Sequence, residues 1–101
     1  MDLIEHNKKQ EEALRQMRLV LGQNIRAKRE ALGYSQEKLA FLAGMGAAHL
    51  GNIERGSEKN NPTLSTLLKI SIGLHTTLEE LLEDSCRQEE GERETAEART
   101  R

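Results

Sequence analysis

The feature that most constrains this chain is a pair of short helical patterns separated by only three residues, Gly44, Met45 and Gly46. Leu39, Ala40 and Ala43 mark the inward face of the first pattern. Leu50 and Ile53 mark that of the second. A glycine in a three- to four-residue turn lets two helices leave each other at a steep angle. Ala40 is small enough for the second helix to come close. The segment "AGMGAAHLGNIERG" then poses a problem. Its helix contains little bulk, and Gly51 in its interior costs about 1 kcal/mol relative to alanine. Either another helix packs tightly there, or something large approaches that face.

The surrounding boundaries are equally legible. Leu21, Ile25, Ala27, Lys28, Arg29 and Leu32 form a helical pattern that stops at Gly33, where a left-handed end suits glycine. Leu14 and Met17 share a face with Leu21, so this first helix is expected to start near Lys9. Ser35 offers a cap to the second helix, with Glu37 near the positive end of its dipole. Gly46 caps the third, expected over about 47–55 and closed by Gly56. "SEKNNP" is a polar loop. Thr63 caps a fourth helix carrying Leu64, Leu67, Leu68, Ile70 and Leu74. "TLEE" has the form of a capping box, Thr77 serving the Glu80 N–H and Glu80 reaching back, at the start of a short fifth helix with Leu81 and Leu82.

With one Phe, one Tyr and no Trp in 101 residues, the core must be aliphatic, and no alternating β-branched run argues for a sheet. The expectation is an all-α fold of five helices: an N-terminal extension over 1–20, partly helical, a domain over 21–84 with its helix-turn-helix at 36–55, and a disordered charged tail over 85–101.

Net charge is −2, but unevenly spread. Residues 21–62 carry six basic and four acidic groups, whereas 63–84 carry one basic and four acidic. The positive segment holds the unusual helix, a modest pointer towards a polyanion. A single cysteine, Cys86, excludes an intramolecular disulfide and a cysteine-based zinc site, and fits a reducing compartment. His6, His49 and His75 have no paired ligand spacing, so no metal or other cofactor is expected. No apolar run reaches the ~18 residues of a membrane span. The opening "MDLIEHNKKQEE" lacks the apolar stretch of a secretory signal, which favours the cytoplasm. There is no nucleophile–base spacing and no phosphate loop, so the chain is not expected to be an enzyme.

Together, "R…LGYSQEKLA", "NIERG", "NP" and "LEELL" at these spacings resemble the Cro and phage-repressor (XRE-type) helix-turn-helix family over about Leu21 to Leu82. The form "HLGNIERG" is also similar to the controller proteins of restriction–modification systems. The resemblance implies a small transcriptional regulator, repressor or controller, that lays its third helix in the major groove of double-stranded DNA as a homodimer. Carried over, Gln36 meets a phosphate at a helix N-terminus. Ala47, Ala48, His49 and Asn52 face bases, and Gly46 removes bulk beside them. Gly51, Arg55, Ser57 and Lys59 approach the backbone, and Arg29 pairs with Glu54 as a structural ion pair.

Asn52 has the chemistry for a paired contact to adenine N6 and N7, while the two alanines can read only shape and thymine methyls. The family often has polar residues where Gly46, Ala47 and Ala48 stand, which favours a share of shape-based recognition. Ile72, Leu78 and Leu82 are candidates for a dimer face. About sixteen residues follow the fifth helix, too few for a ligand-sensing domain. Control is therefore expected from concentration, dimerisation or a partner. The alternative is an antitoxin or adaptor that uses this fold chiefly to bind a protein partner, through the N-terminal extension or the tail.

Overall fold

A computed structural model describes residues 2–59 and 61–83, which form five helices: α1 (Leu3–Ala31), α2 (Gln36–Ala43), α3 (Ala47–Glu54), α4 (Leu64–Gly73) and α5 (Leu78–Leu82). The tail expected over 85–101, with Cys86, lies outside the described residues. Among those described, no helix is long and apolar enough to cross a membrane.

The first helix departs most from expectation. It starts at Leu3 rather than near Lys9, capped by Asp2, whose side chain accepts from the Ile4 N–H at 3.1 Å. From Lys8 to Arg18 the sequence is almost entirely Lys, Gln, Glu, Ala, Leu and Arg, residues that hold a helix without tertiary help. An Arg15–Glu12 pair at 2.7 Å lies along this stretch. Leu3, Ile4, Leu14 and Met17 are all exposed there. Burial begins where Arg18 and Leu19 are half-covered and Val20 and Leu21 are buried, in mid-helix and with no break in the backbone.

Helix ends follow one recipe. Ser35, Thr63 and Thr77 hydroxyls accept from the N–H three residues on, at 3.0, 3.2 and 3.1 Å. Gly33, Gly44 and Gly56 close α1, α2 and α3 with φ of 73°, 65° and 70°. Beyond each glycine the next N–H returns to the carbonyl five residues back: Tyr34 to Arg29, Met45 to Ala40, Ser57 to Asn52. The end of α4 repeats this, with Thr76 bonded to Ser71, but places His75 at φ 58°. That conformation costs an L-residue roughly 1–2 kcal/mol.

The core is Leu21, Ile25, Leu39, Ala40, Ala43, Leu50, Ile53, Ile70, Leu74 and Leu81. Each fully buried Leu or Ile contributes about 1.5–3 kcal/mol of transfer free energy. The second half of α1 packs on α3 and α5, while α2 packs on α3 and α4. Ala27 and Leu32, expected to follow the inward pattern, point outward.

Buried Asn24 explains how so short a helix as α5 is held. Its Nδ2 donates to the carbonyls of Leu81, at 2.8 Å, and Glu83, satisfying the end of α5 from α1. The expected capping box at Thr77 is half formed. Glu80 turns its carboxylate towards Lys28 of α1, 3.5 Å away. The Thr76 hydroxyl, then the Lys28 charge, hold that carboxyl below the ordinary glutamate range.

Candidate nucleic-acid interface

Three features fix α3 from behind. The first is a close crossing with α1 at Gly22, where a Cβ would stand 2.4 Å from the Glu54 carbonyl oxygen and 2.5 Å from that of Ile53. Only a residue without a side chain fits there. The second is an ion pair. Arg29 Nε donates to Glu54 Oε2 at 2.7 Å and Nη2 to Oε1 at 3.1 Å, both residues being buried. Nη1 donates to the Tyr34 carbonyl at 2.8 Å. A buried pair is tolerable when its remaining hydrogen-bond capacity is filled in this way. The bond to Glu54, the largest influence, raises the Arg29 pKa and keeps the guanidinium charged. The third is Gln36, the first residue of α2, whose Nε2 donates to Glu54 Oε1 at 3.0 Å.

This arrangement leaves one side of α3 outward. Ala48 and Arg55 are exposed, and His49 and Asn52 are half-buried. Positions 48, 52 and 55 fall on one helical stripe, with 49 beside it. Arg55 Nη2 donates to Asn52 Oδ1, whose second lone pair and the Nδ2 hydrogens complete the polar capacity of that side chain. Ahead of the stripe, Gly46 opens α3 without a side-chain cap, and a Cβ on it would meet nothing within 4 Å. Behind it, Ser57 is half-buried and Lys59 exposed, the Lys59 N–H reaching Ser57 Oγ at 3.3 Å.

Two residues expected at the surface differ. Ala47 packs against the core, its methyl turned from the stripe that carries Ala48. Gly51 is buried, because Gln36 and Arg55 lie across it. A Cβ there would stand 3.5 Å from Gln36 Oε1 and 3.4 Å from Arg55 Nη1, ordinary contact distances. Gly51 thus lies beneath two polar side chains, at distances that would still admit a methyl group.

The dimer candidates are not brought onto one surface. Ile72 is exposed, as are Leu64 and Leu68 at four-residue steps along α4. Leu78 is half-buried. Leu82 packs against the core and lines an open apolar groove with Leu14, Met17, Leu21, Pro62 and Leu67. No cluster of three or more His, Cys, Asp or Glu that could hold a metal ion occurs among the described residues. Gly22 and Asn24 are the positioning residues that sequence reasoning missed. The signal was present: a helix former would serve better at both places, so each needs a tertiary reason.

The helix-turn-helix family model HTH_3 matches residues 25–81. The chain is 36% identical over 63 residues to the control protein C.SmaI of Serratia marcescens, covering 62% of this chain and 73% of that protein. It is 37% identical over 65 residues to the HTH-type transcriptional regulator SinR of Bacillus subtilis, covering 60% of this chain and 58% of SinR. Among solved structures, the restriction–modification controller protein C.AhdI of Aeromonas hydrophila superposes with a TM-score of 0.60 at 39% identity, over 63% of this chain and 94% of that one. The matched core, the Gly44–Gly46 turn and the locked third helix agree: this chain belongs to the Cro/C1-type (XRE) helix-turn-helix family.

Proposed function

We propose that this chain is a transcriptional regulator that binds double-stranded DNA in the cytoplasm as a homodimer, α3 entering the major groove of each half-site. One observation carries the reading. The inner side of α3 is fixed by Gly22, Arg29 and Glu54, while Ala48, His49, Asn52 and Arg55 stand outward on a helix with little side-chain bulk. The similarity to a control protein and an HTH-type transcriptional regulator supports it.

Asn52 supplies the directional contact, Ala48 a surface for a thymine methyl, and His49 a flanking polar group. Gly46 lets the start of α3 come near the duplex. Gln36 keeps one Nε2 hydrogen for a phosphate beside the free N–H groups at the start of α2. Arg55, Ser57 and Lys59 serve the flanking backbone. Ala47 and Gly51 shape the helix from within. Ile72, with Leu64 and Leu68, forms the dimer face, and Leu78 and Leu82 lie apart from it.

The test is selection of bound duplexes from a random library at two salt concentrations. Enriched, two-fold related half-sites about one turn, roughly 34 Å, apart are expected. Binding without enrichment that vanishes as salt rises would overturn sequence reading. The antitoxin or adaptor reading would then lead, favoured by the exposed Leu3, Ile4, Leu14 and Met17 of α1.

A further inference from the structure

We infer that a second copy of this chain docks antiparallel along the exposed half of α1, the two copies being related by a two-fold axis at Gln10. The surface is a stripe that runs into a groove. Leu3, Gln10 and Met17 repeat at seven-residue steps, and Leu14 and Leu21 follow the last two by four, so all share one side of α1. Leu3, Leu14 and Met17 are exposed, and Leu21 is buried. Where the stripe reaches the domain, Leu14, Met17 and Leu21 line an open apolar groove together with Pro62, Leu67 and Leu82. Arg18 pins its edge to the α3–α4 connection, Nη1 donating to Asn61 Oδ1 at 3.0 Å.

Charge selects what lies there. Eight charged residues fall between positions 2 and 18, in four blocks of alternating sign: Asp2 and Glu5, Lys8 and Lys9, Glu11 and Glu12, Arg15 and Arg18. The blocks cancel, so a polyanion has no net hold on the stripe. A second copy laid parallel and in register would set each block beside its like. Laid antiparallel about Gln10, residue 2 is level with 18, 5 with 15, 8 with 12 and 9 with 11. Every block then meets its opposite. Attraction between such exposed blocks is screened within about 8–10 Å. It sets the direction of pairing, while burial of Leu3, Leu14 and Met17 supplies the affinity. The same register brings Leu3 of the second copy level with Met17, at the mouth of the groove. Residues 84–101 contain no Leu, Ile, Val, Met or Phe with which to fill it.

This contact is separate from the α4 face of the proposed homodimer. Leu67 lines the groove, whereas Leu68 and Ile72 are exposed on another side of α4. Two self-complementary surfaces on one chain link dimers into larger assemblies.

The test uses the full-length chain with Cys86→Ser, so that introduced cysteines are the only thiols. Leu3→Cys and Met17→Cys chains are oxidised separately and as a mixture. The antiparallel register predicts a disulfide between the two different chains. It predicts none within either chain alone, because a residue 3 and its copy stand about 21 Å apart along the axis, where a disulfide spans at most about 7 Å. Sedimentation of Ile72→Glu, whose α4 face is spoiled, should still show dimers, and adding Leu14→Glu and Met17→Glu should leave monomers. Leu3→Cys chains that cross-link to one another, or no disulfide in any mixture, would overturn the inference. So would an Ile72→Glu chain that is already monomeric at the wild-type concentration, which would leave the stripe to a different protein. An Ile72→Glu chain with the wild-type mass would instead remove the α4 face from the proposed function and keep the α1 contact.

Discussion

The side of α3 turned to α1 and the side turned outward differ in how completely their atoms are engaged. On the inner side Leu50 is fully buried and Ile53 nearly so, both Glu54 oxygens are bonded, and Gly51 is covered. On the outer side Ala48 has no polar group, and the side-chain bond is the one between Asn52 and Arg55. The helix is thus placed by its joint with α1, with Gln36 of α2 reaching Glu54 from the other side. A buried ion pair suits this task better than it suits stability as such. Replacing a buried pair by apolar side chains is often neutral or better, but removing one member leaves a buried charge alone.

The contrast can be broken most forcefully at Glu54. Because it takes two hydrogen bonds from buried Arg29 and carries the opposing charge, Glu54→Ala should cost about 3 kcal/mol or more in thermal or denaturant unfolding. An unchanged melting temperature would mean the joint does not rest on the pair. Next comes Gly22→Ala, whose Cβ would collide with backbone carbonyls that cannot rotate away. Despite the gain in helix propensity, a loss of about 3 kcal/mol is expected. Wild-type stability would show that α1 and α3 slide freely over each other.

On the outer side, Asn52→Ala should leave unfolding within about 0.5 kcal/mol and weaken DNA binding by about 1–3 kcal/mol, loosening preference at one base pair. An equal loss on every duplex would take Asn52 out of base reading. Gly51→Ala is the smallest and the sharpest. Its Cβ meets Gln36 and Arg55 at ordinary contact distance, so the chain should gain up to about 1 kcal/mol from helix propensity. A loss instead would show that the covering side chains cannot yield.

Much of this fold could be read from residue order. Ser35, Thr63 and Thr77 announce helix starts, and Gly33, Gly44 and Gly56 announce ends, because caps are local chemistry. The Arg29–Glu54 pair came from family resemblance, since nothing local links positions so far apart. What escaped was governed by contacts distant in sequence or by none. Gly22 reads as a flaw in a helix until the α3 carbonyls beside it are known. Asn24 reads as a polar intruder until the end of α5 is seen to need a donor. His75 occupies a place where its neighbours' pattern calls for glycine. The early start of α1 was missed for the opposite reason: its first turns answer to propensity alone and bury too little for a periodic signal. Within the site, Ala48, His49, Asn52 and Arg55 stand outward as the motif implies, whereas the fate of Ala47 and Gly51 depended on how α2 lies across α3.

The unbroken course of α1 has a mechanical consequence. Leu3 and Gly22 belong to one helix, about 28 Å apart at 1.5 Å per residue. A rod of that length with no joint turns position into aim. Shifting its tip sideways by 1 Å tilts the whole by about 2°. Because the far end is keyed into α3, whatever holds the tip of α1 acts as a sight, setting the angle of the outward stripe from a distance and without touching it.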